Sequence, residues 1–196
     1  MFTGFVLVIC FIVIGMMWPE GLWSNALTFI NTLFSGIVAW NYFEPFAGFL
    51  EENLPSFTYI VDYLAFWLIF AIFFNVTRAV TDQISKKKAR FRKPVDVGGG
   101  ATFAFLTAFL MVLLICSSIH FAPLQAAPFG GGFKSQGKDA GSFLGMKVEQ
   151  MWLSTMFRLS AKKNGKPAGA FATKGTNAFD PGGNFAKKYY LSLIHI

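Results

Sequence analysis

Residues 86–100 read KKKARFRKPVDVGGG, with six Lys or Arg side chains in eight positions, then a proline, an aspartate and three glycines. Basic runs of this density are found in nucleic-acid-binding proteins, and glycine runs can hold phosphate groups. No Lys-Ser or Lys-Thr pair follows the glycines, so the stretch is not a nucleotide-binding P-loop. Because long apolar segments flank the stretch, we interpret it as a charged connection between two membrane spans.

The distribution of charge supports a lipid-embedded chain. Only 14% of the 196 residues are charged, whereas about a quarter is usual in soluble proteins. Seven of the 17 Lys and Arg residues lie in 78–93 and ten in 134–188, with none in 1–77 or 94–133. A charge at the centre of a bilayer costs at least about 2.5–3.5 kcal/mol, which explains such blocks. The net charge of +7 is therefore weak evidence for nucleic acid, and we expect no nucleic-acid partner.

Four segments are long and apolar enough to cross a membrane: 2–18, 22–43, 57–75 and 102–121. The second is interrupted by Asn25, Asn31 and Ser35, which are tolerable where they face other helices. Between the second and third segments, EPFAGFLEENLPS carries three glutamates and an apolar stripe, which predicts a short amphipathic helix on the membrane surface. The sequence thus predicts an all-α integral membrane protein with four transmembrane helices.

The chain divides into three parts on this interpretation. Residues 1–122 form a four-span membrane domain, and residues 123–190 form an extracytoplasmic tail. The tail begins with a Gly/Pro/Ala linker, continues with an amphipathic helix at 143–160 and ends as irregular chain. The last six residues, LSLIHI, match a translated adaptor of transposon-based sequencing libraries, so we exclude 191–196 as an artefact and expect the natural chain to continue.

Few side chains offer chemistry. Asp62 is the one acid inside a predicted span, which makes it a candidate proton or cation site. Asp96 is predicted to cap the last span, and Gly100 to permit close helix packing. An alternative is that this helix start and its neighbouring cations hold an anionic lipid headgroup. We expect no catalytic residues, metal or cofactor, because Cys10 and Cys116 lie in apolar runs and no catalytic or ligand cluster is present.

The start of the second segment resembles a known family. GLWSNAL, residues 21–27, is similar to the Gly-hydrophobic-hydrophobic-Arg-Glu-Ala-Leu opening found in the colicin V production protein family. Gly21 matches the family glycine, whereas Ser24 and Asn25 stand where arginine and glutamate are usual.

The last segment carries the second resemblance. Asp96 and Gly100 are similar to the ends of the family's Asp-Arg-x-x-Gly motif, with Val97 in place of the arginine. Thr107 and the alanine after it stand where Arg-Gly is common. The resemblance covers roughly residues 1–122, and the tail lies outside the family pattern.

This resemblance implies a non-enzymatic bacterial inner-membrane protein that supports toxin (bacteriocin) biosynthesis and export and envelope homeostasis. Its expected partners are the lipid bilayer, with anionic lipid at Lys86–Lys93, and an unknown membrane protein or a second copy of the chain. The alternative is a small transporter or channel subunit that uses Asp62 and the polar face formed by Asn25, Asn31 and Ser35.

Topology gives a direct test. The loop 78–93 holds all the Lys and Arg of the short loops, so we predict that it is cytoplasmic and that both termini are outside. Reporter fusions after Arg92 and after Lys163 should therefore report opposite sides of the membrane. Two fusions on the same side would contradict four spans.

Overall fold

The structure of the protein is a computed structural model that describes part of the chain. The described residues are 2–53, 58–85, 91–119, 122, 152, 155, 162–163 and 166–167. The chain divides into two units, one formed by Gly4–Val112 and the other by Met1–Thr3 with Leu113–Ile196.

The described residues contain four α-helices of 16 residues or more: α1 (Phe2–Met17), α2 (Gly21–Asn53), α3 (Thr58–Ile84) and α4 (Lys93–Ser118). A 3-10 turn, Trp18–Glu20, connects α1 to α2. Two strands of two residues each, β1 (Lys162–Lys163) and β2 (Lys166–Pro167), pair antiparallel in the other unit. Apolar segments favour helices because a helix satisfies its own backbone hydrogen bonds where water is absent.

Three of these helical stretches are long and apolar enough to cross a membrane. They are Thr3–Glu52, which runs through the 3-10 turn, Ile60–Ile84 and Lys93–Ser118. The predicted α-helical architecture is thus confirmed in the described residues of 1–122, whose helices could cross a membrane, and the number of crossings stays a prediction.

The connection between α1 and α2 has a local cause. Pro19 lies at the start of the 3-10 turn, where its missing N–H is not needed. Gly21 then adopts φ 78° and ψ 173°, a left-handed conformation that side chains rarely take. A Cβ at Gly21 would also lie 3.1 Å from Asp96 Oδ2. Only glycine fits this position without strain.

The helix α2 is longer than the sequence predicts. It continues through Pro45 to Asn53, so the separate surface helix expected after residue 43 is wrong. Phe46 and Leu50 of its predicted apolar stripe pack instead against a small cluster shared with α3, formed by Ala47, Val61 and Ala65. This part of α2, beyond the segment predicted to cross the bilayer, is thus packed against α3.

An aromatic cluster holds α2 to α3. Trp40, Phe43 and Phe66 are each at least 98% buried. Their ring centroids lie 5.4 to 6.3 Å apart in edge-to-face contacts. Such contacts add to the free energy gained from burying the rings.

The helices next to the basic loop are also longer than predicted. The helix α3 ends at Ile84 rather than near residue 75, and α4 begins at Lys93 rather than at residue 102. Both extensions reach toward the basic run, of which residues 86–90 lie outside the described residues. The tail helix predicted at 143–160 also falls outside them, apart from Trp152 and Thr155, which are helical.

The aromatic cluster predicts a large loss of stability on truncation. Phe66→Ala should lower the free energy of unfolding in detergent micelles by about 3–5 kcal/mol, because it removes a fully buried ring. Phe105→Ala is the matched control, since Phe105 is 59% exposed, and it should change stability by no more than about 0.5 kcal/mol. Equal losses for the two variants would show that the cluster is not the core.

Candidate functional site

Five residues were candidates from the sequence, and four of them, all except Asp62, lie close together in the structure. Gly21, Asn25, Asp96 and Gly100 lie where the start of α2 contacts the first two turns of α4. We call these four residues the helix-end cluster. The motifs that the sequence separates by about 75 residues are therefore one structural feature.

Asp96 has a different partner from the predicted one. Its Oδ1 accepts a 2.9 Å hydrogen bond from the backbone N–H of Leu22, in the first turn of α2. Its own backbone N–H donates to Arg92 O at 3.0 Å, so Asp96 lies inside the first turn of α4. The prediction that it caps α4 is wrong: Asp96 caps α2. A carboxylate at this position satisfies a free N–H and interacts favourably with the α2 dipole.

Glycine allows the two helices to approach closely. A Cβ at Gly100 would lie 3.2 Å from the backbone C of Gly21 and 3.2 Å from the backbone N of Leu22. A Cβ at Gly99 would lie 2.6 Å from the Leu22 side chain. Gly100 faces backbone atoms, which have no other rotamer to adopt, so the predicted packing role is consistent with its position.

Asn25 joins three elements. Its side-chain Nδ2 donates to Met17 O at 3.1 Å and to Gly100 O at 3.0 Å, and the residue is 1% exposed. The end of α1, the start of α2 and the start of α4 are thereby connected. The Oδ1 atom of Asn25 is buried without a hydrogen-bond partner among the described residues. An ionised glutamate, which the resemblance expects here, has no hydrogen to donate to these two carbonyls.

Arg78 is the functional candidate that sequence reasoning missed, because it was counted only as a charge of the loop. Its guanidinium donates to Ser24 Oγ at 3.1 Å and also to Thr28 Oγ1. It pairs with Asp82 at 3.2 Å and with Glu20 at 3.6 Å. The signal was present in the sequence, since Glu20, Ser24 and Thr28 recur every four residues just before and within the start of α2.

The position of Arg78 bears on the family pattern. The resemblance places an arginine at position 24, where this chain has serine. Ser24 Oγ instead contacts the guanidinium of Arg78 and donates to Glu20 Oε2 at 2.6 Å. The chain thus holds a guanidinium beside position 24 but supplies it from α3.

Two further polar contacts join α2 to α3 beside Arg78. We call these contacts and those of Arg78 the polar seam. Asn31 Nδ2 donates to Thr81 Oγ1 at 3.0 Å, and Trp23 Nε1 donates to Ser85 Oγ at 2.6 Å. Together with Arg78, these contacts join the first three turns of α2 to the last two turns of α3. Hydrogen bonds of this kind substitute for the missing hydrophobic driving force between helices in lipid.

A cavity of about 160 Å³ adjoins the helix-end cluster. It is lined by Trp18, Pro19, Gly21, Asp96, Val97, Gly100 and Ala101. Asp96 is the one titratable group among the described residues that line the cavity, so these residues include no pair of acid and base and no nucleophile. In the described part of the chain, no three His, Cys, Asp or Glu side chains lie close enough together to hold a metal ion.

Asp62 does not join the helix-end cluster. It is half-buried near the start of α3, sixteen residues before Arg78, which is about 24 Å along the helix. Asn25 and Asn31, which the transporter alternative combined with Asp62, contact the opposite end of the helices. The lipid site predicted at Lys86–Lys93 falls mainly on residues 86–90, outside the described residues.

Long apolar helices with polar contacts concentrated at one end define a multi-pass helical membrane protein. A sequence model described as colicin V production protein matches residues 3–136, more than half of the chain. The chain therefore belongs to the colicin V production protein family, which indicates a role in toxin production. No curated protein matches the chain, and no solved structure matches it either.

The glycines of α4 allow a matched test of the close approach. Gly100→Ala should lower the free energy of unfolding by about 1–3 kcal/mol, because its Cβ meets backbone atoms of α2. Gly98→Ala should instead raise it by up to about 1 kcal/mol through helix propensity, since no described atom lies within 4 Å of its Cβ. Denaturant titration in micelles, followed by tryptophan fluorescence, measures both values. A stabilising Gly100→Ala would contradict the contact.

Proposed function

We propose that this chain is a non-enzymatic protein of the bacterial inner membrane that supports bacteriocin biosynthesis and export, and with it envelope homeostasis. One observation carries the proposal. The positions that correspond to the family motifs meet as helix-to-helix contacts, beside a cavity whose described lining has a single titratable residue, Asp96. Such an arrangement suits a role in fixing helix positions and in presenting a surface to a partner.

The membrane topology that we propose has four crossings. The helical stretch Thr3–Glu52 has 50 residues, or about 75 Å at the helical rise, more than twice the thickness of a bilayer core of about 30 Å. The break at Gly21 lies within it, and Asn25 reaches Met17 O across the break. In a continuous helix, positions 17 and 25 would be about 12 Å apart along the axis. Both facts support separate crossings by α1 and α2.

The helix-end cluster is proposed to face the cytoplasm. The chain between α3 and α4 carries the basic run, and both flanking helix ends contact the start of α2. The positive-inside rule favours the cytoplasmic side for this end. The basic run would then contact anionic lipid, while the cluster and its cavity would be accessible to a cytoplasmic or membrane partner of the toxin pathway.

The chemistry of the site fits a supporting role in this pathway. The proposed contribution of the chain is to hold the starts of α2 and α4 in one arrangement, so that a partner finds a fixed surface. Arg78, neutralised by two carboxylates, fastens α3 to the same surface. The toxin itself would leave the cell chemically unchanged by this protein.

Complementation tests the proposal with two matched aspartates. In a toxin-producing strain that lacks the native gene, the wild-type chain and Asp62→Asn should restore the toxin titre of the medium. Asp96→Ala should restore much less, because removal of the α2 cap loosens the helix-end cluster by about 0.5–2 kcal/mol.

Immunoblots of washed membranes must show equal amounts of the three proteins. Full restoration by Asp96→Ala would contradict the role of the cluster. Loss of the toxin with Asp62→Asn, together with lost ion flux in vesicles, would favour the transporter alternative.

A further inference from the structure

One face of α3 is exposed along its length. Its residues recur every three or four positions and are all exposed: Leu64, Leu68, Ala71, Asn75 and Ala79. We call these five residues the outer stripe. Spacing of three and four residues places side chains on a single helix face, as in the seam between two packed helices. Leucines on such a face suit lipid, whereas the asparagine among them does not.

The amide of Asn75 keeps part of its hydrogen-bonding capacity. Its Nδ2 donates to Ala71 O of the same helix at 2.7 Å. A primary amide carries two N–H groups and an acceptor oxygen, so this bond uses one of its donors. Because the residue is exposed, the second N–H and the oxygen imply a polar partner outside the helix.

The depth of Asn75 makes its exposure costly. Trp23 donates to Ser85, and tryptophan prefers the headgroup level, so this pair marks one membrane interface. Asn75 precedes Ser85 by ten residues, or about 15 Å, which is near the middle of a core of about 30 Å. Tyr63 lies about 33 Å from Ser85 along the helix, at the level of the other interface.

Asn41 on α2 provides an internal comparison. It is exposed as well, and its Nδ2 makes the same 2.7 Å bond to the carbonyl four residues earlier, Ile37 O. Asn41 lies about 27 Å from Trp23 along the helix, however, beside the exposed Tyr42. Water or headgroups reach that level, so Asn41 needs no protein partner there, whereas Asn75 does.

We propose that the outer stripe is the contact surface for a second copy of this chain, with the two Asn75 side chains paired within it. The amide is both donor and acceptor, so it is complementary to itself. A two-fold interface brings the same residue of both copies face to face, which permits two reciprocal hydrogen bonds. Ala71 and Ala79, one turn away on each side, let the backbones approach. This interface rests on the membrane insertion that the proposed function includes.

The contact is tested first by disulfide cross-linking in native membranes. In a Cys10→Ala, Cys116→Ala background, single cysteines are introduced into the full chain as Ala71→Cys, Ala79→Cys or Val80→Cys. Oxidation should give a product of twice the chain mass for the first two variants and not for the third, because Val80 is exposed on a different face of α3. Adducts of any other mass would show a different partner and overturn the proposal.

Variants of the asparagines then test the amide itself. Asn75→Leu should weaken association in micelles about 3-fold to 30-fold, the range expected for polar contacts between membrane helices. Asn75→Gln keeps the amide and should keep the dimer, and Asn41→Leu is the control that should not change it. A monomeric wild-type chain, or an Asn75→Leu dimer of unchanged affinity, would overturn the interface.

Two further measurements test the proposed function separately from the interface. Extraction with alkaline carbonate reports membrane insertion, and the toxin titre reports the pathway role. An inserted monomer that restores the toxin would overturn the interface alone. Release of the chain by carbonate would overturn both proposals.

Discussion

The hydrogen bond from the Leu22 backbone to Asp96 is the contact on which the rest of the arrangement depends. The chain turns at Gly21 in a conformation that leaves the first N–H groups of α2 without partners from its own helix. Such groups need an acceptor where water does not reach them, and α4 supplies one through a carboxylate. That contact requires the two backbones to approach closely, which only glycine permits at positions 21 and 100. The hydrogen bond to Asp96 therefore accounts for the glycines at positions 21 and 100 and for the position of α4 against α2.

In the polar seam between α2 and α3, the same need for a partner applies to a charged group, the guanidinium of Arg78. Arg78 is held by two carboxylates and two hydroxyls, so its guanidinium enters the structure with most of its donors satisfied. An arginine near the end of a membrane helix is tolerated when it finds such partners or reaches the interface. All these groups lie in the last two turns of α3 and the first three of α2 or just before it. Further along α2 and α3, Trp40, Phe43 and Phe66 form a buried aromatic contact. The polar contacts fix the helix positions, and the aromatic contact contributes stability.

The sequence predicts what depends on local composition. The apolar segments located the helices, and the family motifs identified Gly21, Asn25, Asp96 and Gly100 as candidates. The partner of Asp96 was beyond such reasoning, because Leu22 lies 74 residues away and an acid near a helix start normally caps its own helix. Arg78 was missed for a similar reason, since its partners Ser24 and Thr28 are 54 and 50 residues away. The extension of α2 past Pro45 also depends on burial against α3, which no local pattern records.

The departures from the family pattern follow from these contacts. At position 24 a guanidinium is still present, supplied by Arg78, and at position 25 an amide donates to two carbonyls. Val97 differs from both, because it is 64% exposed and lines the cavity beside Asp96. Because Val97 is exposed, an arginine at 97 would add a charge to this lining. With valine at this position, Asp96 is the one charged group among the described residues that line the cavity.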